Sequence, residues 1–327
     1  MSALRGAGVE VTERHADLRR RDRGIGHGPL AALRIVAAEV RLMVPKRNQF
    51  DVVFVGYPGH FDVPQARGVA GRKPLVFLPR VSLVRELVER RGRFKRRSVT
   101  ARVLAAVDVR ALKLADVVVA DSIAGADVLA DIGDIPRERV ATIFTGAEER
   151  VFAETWSPVY PFGALHVAGP GTSLPTLLAA AELVPELPIR VVGATGESPA
   201  NVEWLETPYE DLGLAYAHAG IAIGALDEAP EIPDAVFQAL ATGAPLVTAD
   251  TAAARELLVD GENALLVAPG DPAALSVALR RLVEDNELLH RLSTGGRRLY
   301  EERASEAVLG ARWRELLEHV TGQTGIV

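Results

Sequence analysis

The 327-residue sequence contains no cysteine, which excludes disulfides, thiolate nucleophiles and thiolate metal ligands. Aromatic residues make up only 5%, so aliphatic side chains must fill the cores. The seven histidines, at positions 15, 27, 60, 166, 218, 290 and 319, have no spacing that suits a metal site. No apolar run approaches the roughly 18 residues of a membrane span. The opening MSALRGAGVEV lacks a charged-then-apolar leader, and the expectation is a cytoplasmic protein. Basic side chains are missing altogether between Pro158 and Arg190.

What is present is a globular chain, 48% hydrophobic, long enough for two compact domains. Its net charge of −6 is unevenly spread. Residues 1–115 carry 24 Lys/Arg and 10 Asp/Glu, whereas residues 116–327 carry 13 and 33. Either the basic half meets an anionic ligand, or the two halves attract one another.

Short apolar runs alternate with helical stretches along the whole chain. GVEVTE reads as a strand, Leu30–Leu42 as a helix, and Ser82 to about Leu114 as one long charged helix. DVVFV, PLVFL and DVVVA are near-continuous apolar runs, as expected of parallel strands covered on both faces. After a linker over Glu148–Phe162, the alternation resumes and closes with helices over Pro272–Glu284, Asn286–Glu302 and Glu306–Val320. The predicted fold is α/β, with two Rossmann-like doubly wound domains facing a cleft. The boundaries are 1–153, 154–305 and a C-terminal helix within 306–327 that packs back toward the first domain.

Two stretches resemble a known family. DVVVADSIAGADVLADIGDIPRERVATIFTGAEERVF is similar to the late first-domain run of retaining GT-B glycosyltransferases of the glycogen-synthase-like branch (family 4). HAGIAIGALDEAPEIPDAVFQALATGAPLVTADTAAARELLVDGENALLVAPGDPAAL looks like their donor-site half. The resemblance implies a nucleotide-sugar donor, no permanently bound cofactor and no metal. It also implies that seven residues before Gly8 leave out the family's first strand and glycine-rich loop.

The family places two glutamates eight positions apart, one near the transferred sugar and one on the nucleotide ribose. Here those positions fall on Pro230 and Gln238, with Glu228 and Glu231 close enough to substitute. A Gln side chain offers ribose one acceptor oxygen and a donor nitrogen, where a carboxylate would accept from both hydroxyls. Equally, Gln238 could be an ordinary polar residue on a helix. Thr251 reads as an N-cap, Ala252 as a source of backbone N–H groups, and Glu256 as either a hydroxyl acceptor or a helix-surface residue. Family members hold the departing diphosphate with an Arg and a Lys early in the second domain. This chain has GPG there, so Gly169 and Gly171 are the candidates, acting through backbone amides. His60, in GYPGHFDVP after a buried strand, is the first-domain candidate for contact with acceptor or sugar. The candidate catalytic residues are therefore His60, Glu228 and Glu231, and the donor-binding candidates are Gly169, Gly171, Gln238, Thr251, Ala252 and Glu256.

Residues 85–102 form a basic stretch with Leu87, Val88, Phe94 and Val99 among the arginines. It suits an anionic membrane surface, a lipid-linked acceptor or an acidic protein partner, or is simply solvated. No nucleic-acid-binding pattern accompanies it, and no nucleic-acid partner is expected. The expected function is hexose transfer with retention to a cell-envelope or lipid-linked acceptor. The alternative is a catalytically degenerate relative that binds ligand or partners an active transferase.

Overall fold

The computed structural model describes residues 2–13, 50–159, 162–169 and 174–322. The Leu30–Leu42 helix and Gly171 lie outside them. The first sheet contains β1 (Val53–Val55), β2 (Leu75–Phe77), β3 (Val117–Ala120) and β4 (Val140–Thr142), all parallel and in that order. Val76, Phe77, Val118 and Val119 are fully buried, as strands of β-branched and aromatic residues must be when both sheet faces are covered. Helices Val63–Ala70, Val99–Leu114 and Ile123–Gly133 close one face around Leu75, Phe77, Leu112 and Leu129.

The other face of this sheet is covered from the far end of the chain. Leu309, Trp313 and Leu317 of the Glu306–Thr321 helix pack with Leu4, Val76, Val119 and Ile143. Trp313 meets Phe54 edge-on at 5.1 Å. The short helix Ser2–Gly6 lies on the same helix. GVEVTE forms no strand. Val9 and Val11 pack their side chains against this cluster, and Val9 N donates to the Leu4 carbonyl at 3.1 Å, but neither has a ladder partner.

The second sheet runs β10-β9-β8-β5-β6-β7, again all parallel. Its strands are β5 (Ala164–Val167), β6 (Ile189–Val192), β7 (Val202–Leu205), β8 (Ile221–Ile223), β9 (Leu246–Ala249) and β10 (Leu265–Val267). The order reverses between β5 and β8, the place where doubly wound sheets open a crevice beyond their carboxyl ends. His166 of β5 ties the two strands together, its Nδ1 lying 3.0 Å from the Ile223 carbonyl. Burial holds its imidazole below the ordinary value. Tyr216, Phe237, Leu240 and Leu246 fill one core of this domain, and Leu177, Ile189, Ile221 and Leu279 the other. Val151 and Phe152 already belong to the first of these cores.

The long charged helix does not exist as one element. A π-helical segment, Arg85–Arg90, ends before Gly92, whose φ of 57° is a left-handed turn that breaks the helix. Regular helix restarts at Val99, where the Ser98 hydroxyl caps it by accepting from Ala101 N. Asp108 then folds the two pieces together, its carboxylate accepting from Leu83 N at 2.9 Å and Val84 N at 3.1 Å. Periodicity alone could not reveal a bond between residues so far apart along the chain.

The chain passes between the domains twice, and the two passages touch. Glu149 Oε1 accepts from Glu306 N at 2.8 Å, and Glu306 Oε1 accepts from Glu149 N at 3.2 Å. A Cβ on Gly146 would lie 2.8 Å from the Ala304 carbonyl oxygen and 2.5 Å from Leu309 Cδ1, so only glycine fits.

Candidate functional site

The carboxyl ends of the two sheets face each other, and their loops are joined by side chains. From the second domain comes the loop 224–234 after β8, leading into the helix Asp234–Thr242. From the first come Arg80 after β2, the Arg85–Arg90 segment, and Asp121 and Ser122 after β3. Arg80 pairs with Asp234. Arg90 Nη1 lies 2.9 Å from Glu231 Oε1, and Arg85 Nε lies 3.5 Å from Glu231 Oε2. Arg85 Nη2 also donates to the Glu228 carbonyl at 3.2 Å.

Ser122 serves both domains. Its hydroxyl accepts from Gly125 N at 2.9 Å, capping the Ile123–Gly133 helix, and donates to the Pro230 carbonyl. Gly125 makes this approach possible, since a Cβ there would sit 3.2 Å from the Pro230 oxygen. Asp121 beside it is 5% exposed. Burial pushes its carboxyl up to about 7, with Glu231 and Asp234 adding to the rise and Arg80 and Ser122 opposing it.

Glu256 resolves into a cross-domain cap. Its carboxylate accepts from Ile123 N at 2.6 Å and Ala124 N at 2.8 Å, at the N-terminus of a helix in the other domain. Negative charge there satisfies two otherwise orphaned donors and complements the helix dipole. Glu256→Ala is therefore expected to destabilise the protein by about 1–2 kcal/mol in urea denaturation. An unchanged midpoint would remove this cap from the account.

The other predicted residues fall in two groups. Glu231 lies on the loop after β8, Gln238 in the middle of the Asp234–Thr242 helix, Thr251 just after β9 and Glu256 at the end of the Ala252–Arg255 turn, with Gln238 and Thr251 both buried. Gly169 is exposed at the end of neighbouring β5, and Glu228 is exposed on the loop. Thr251 caps its helix by accepting from Ala254 N at 3.0 Å, but that helix is the single turn Ala252–Arg255. Ala252 is exposed on it, and so short a turn aligns too few peptide dipoles to make an anion site.

His60 stands apart, with 1% of its surface exposed. It packs edge-on against Phe77 at 5.1 Å, and its Nε2 is 3.6 Å from Asp108 Oδ1. Burial lowers the imidazole to about 4 and raises the Asp108 carboxyl to about 6. His60 is thus neutral at pH 7 and turned into its own domain.

Sequence reasoning missed Arg80, Asp121, Ser122 and Asp234 as a group. The available signal was a strand ending in Asp-Ser directly before a helix, with an Arg after the neighbouring strand. Among the described residues there is no cluster of three or more potential metal ligands, and no helix long and apolar enough to cross a membrane.

Comparison with known proteins follows the same geometry. Residues 150–285 match the family described as Glycosyl transferases group 1. No curated protein matches the chain significantly. Among solved structures, the fold is similar to sucrose-phosphate synthase from Thermosynechococcus elongatus, with 16% identity over 99% of this chain and 92% of that one, at a TM-score of 0.74. It is also similar to Anabaena HepE in complex with UDP-glucose, with 18% identity over 89% and 84% and a TM-score of 0.67. A glycosyltransferase from Rickettsia africae gives 13% identity over 93% and 84%, with a TM-score of 0.61. The chain thus has the two-domain GT-B glycosyltransferase fold, and its residues 150–285 carry the match to the group 1 glycosyl transferases.

Proposed function

We propose that the protein transfers a hexose from a nucleotide-sugar donor to a cell-envelope or lipid-linked acceptor with retention of configuration. The observation that carries this reading is the reversal of strand order between β5 and β8, inside the group 1 match and opposed by the loops of the first domain. UDP-glucose bound to the similarly folded HepE supports a donor of this class. In this reading Gly169 offers backbone to the phosphates and the Gln238 amide oxygen accepts from a ribose hydroxyl. Retention follows from the resemblance, in which the donor phosphate assists the incoming hydroxyl and no dedicated base is required. His60, neutral and buried, would then shape the acceptor side without trading a proton. The exposed Arg93, Lys95, Arg96 and Arg97, with Phe94 among them, offer an anionic membrane or lipid-linked acceptor a place to rest.

One set of observations favours a second reading, a degenerate transferase that keeps ligand binding. Pro230 and Gln238 stand where the resemblance calls for carboxylates, and Glu231 and Glu256 are both engaged across the cleft. Titration with UDP-, GDP- and ADP-sugars separates the possibilities. Saturable binding of one of them, with sugar release, supports the transferase; no binding of any sinks the donor site. Gln238→Glu is expected to tighten donor binding about tenfold, or ~1.4 kcal/mol, through a charge-assisted bond to ribose. Turnover that appears only in this variant identifies the natural protein as degenerate.

A further inference from the structure

The second domain lacks the cations expected beside a diphosphate, yet the cleft is rich in positive charge from the opposite side. Arg80, Arg85 and Arg90 all belong to the first domain, and all meet one loop of the second. Arg80 holds a φ of 58°, a left-handed conformation uncommon for a non-glycine residue and maintained here beside its contact with Asp234. Arg85 and Arg90 lie on the same π-helical segment and share the single carboxylate of Glu231. Nε of Arg85 is buried without a hydrogen bond, its 3.5 Å ion pair being too poorly placed to satisfy it.

The anionic side of these contacts is the loop 228–234, which follows β8 beside the reversal of strand order. Arg90 also lies 3.6 Å from Glu86 on its own segment, but Glu231 is the carboxylate that the opposite domain offers to both guanidinium groups. With the Arg85 donor left over, they match a ligand bearing more charge and more acceptor oxygens than Glu231 provides. We propose that Arg80, Arg85 and Arg90 form a diphosphate-binding site in which Glu231 and Asp234 are internal stand-ins that the ligand displaces. The proposal rests on the donor reading above and deepens it, assigning to the first domain the charge that the second does not supply. Arginine forks bind phosphate oxygens in pairs, and a diphosphate brings more negative charge than one carboxylate. The three side chains keep 34%, 27% and 28% of their surface exposed, so exchange with solvent-borne anions is open to them. A diphosphate bound there would meet the leaving group's growing charge with fixed cations.

Calorimetric titration with inorganic pyrophosphate, UDP, GDP, ADP and the corresponding nucleosides tests this. Pyrophosphate and at least one nucleoside diphosphate are expected to bind. Arg85→Ala and Arg90→Ala are each expected to weaken that binding tenfold or more, with Arg85→Lys in between and nucleoside binding little changed. Glu231→Gln is expected to tighten diphosphate binding several-fold, because it removes the competitor. An interface of merely structural ion pairs predicts no such gain. Diphosphate binding that is unchanged in folded Arg85→Ala and Arg90→Ala, or weaker in Glu231→Gln, overturns the proposal and leaves the donor reading standing. Arginine-dependent pyrophosphate binding with no advantage for any nucleoside diphosphate upholds the anion site and sinks the donor reading. No binding of pyrophosphate or any diphosphate overturns both.

Discussion

Asp121→Asn is expected to stabilise the protein at pH 8 by about 2–4 kcal/mol and to flatten its stability between pH 4 and 7. The wild-type carboxyl ends β3, is 5% exposed, and titrates at about 7. Burial is the main cause, and the facing carboxylates of Glu231 and Asp234 add to it. The folded value lies above the unfolded one, so the folded chain holds this proton more tightly. Its contribution is fully present below about pH 4 and is lost as pH rises through 7. Asn has nearly the same shape and carries no charge at any pH, so the loss disappears. Urea denaturation at pH 5 and pH 8 measures both proteins, and an equal pH slope in the two would refute the assignment. The same ionisation bears on the cleft, since an anionic Asp121 repels the loop that Arg80, Arg85 and Arg90 hold.

The second large effect is expected at Gly213, where Ala should cost about 3 kcal/mol. A Cβ there would lie 1.8 Å from the Val151 carbonyl oxygen, 2.9 Å from its carbon and 3.2 Å from Phe152 Cα. All three are backbone atoms, so no side chain can turn aside. Relief requires the linker to lift from the Leu212–His218 helix, which pulls Phe152 from its 6.1 Å contact with Tyr216 in the core they share with Phe237 and Leu240. A loss below about 1 kcal/mol in urea denaturation would mean that the linker yields easily there.

Local signals carried most of the fold. The helix Pro272–Glu284 has a capping Asp271 and a proline in its first turn, begins where those signals place it, and keeps the bounds expected of it. Errors came where a distant partner decides. The basic stretch breaks at Gly92 and is refastened by Asp108, and the run at Val9 and Val11 finds side-chain contacts but no ladder. The candidate site was less legible for the same reason. Arg80 and Asp234 are 154 positions apart, and Glu256 meets Ala124 across 132. Nothing in either neighbourhood marks the pairing, and Glu256 reads equally well as a free acceptor until the opposing helix start is in view.

The paired passages at Glu149 and Glu306 limit how this molecule can move. Two stretches of chain bonded side by side make a hinge with a fixed axis, whereas one flexible linker would let the halves tumble independently. A swing about that axis would part Arg85 and Arg90 from Glu231, and Glu256 from Ile123 and Ala124, while leaving the bonds between Glu149 and Glu306 intact. A cleft opened in this way would return to the same register, because its spine would not have to be rebuilt.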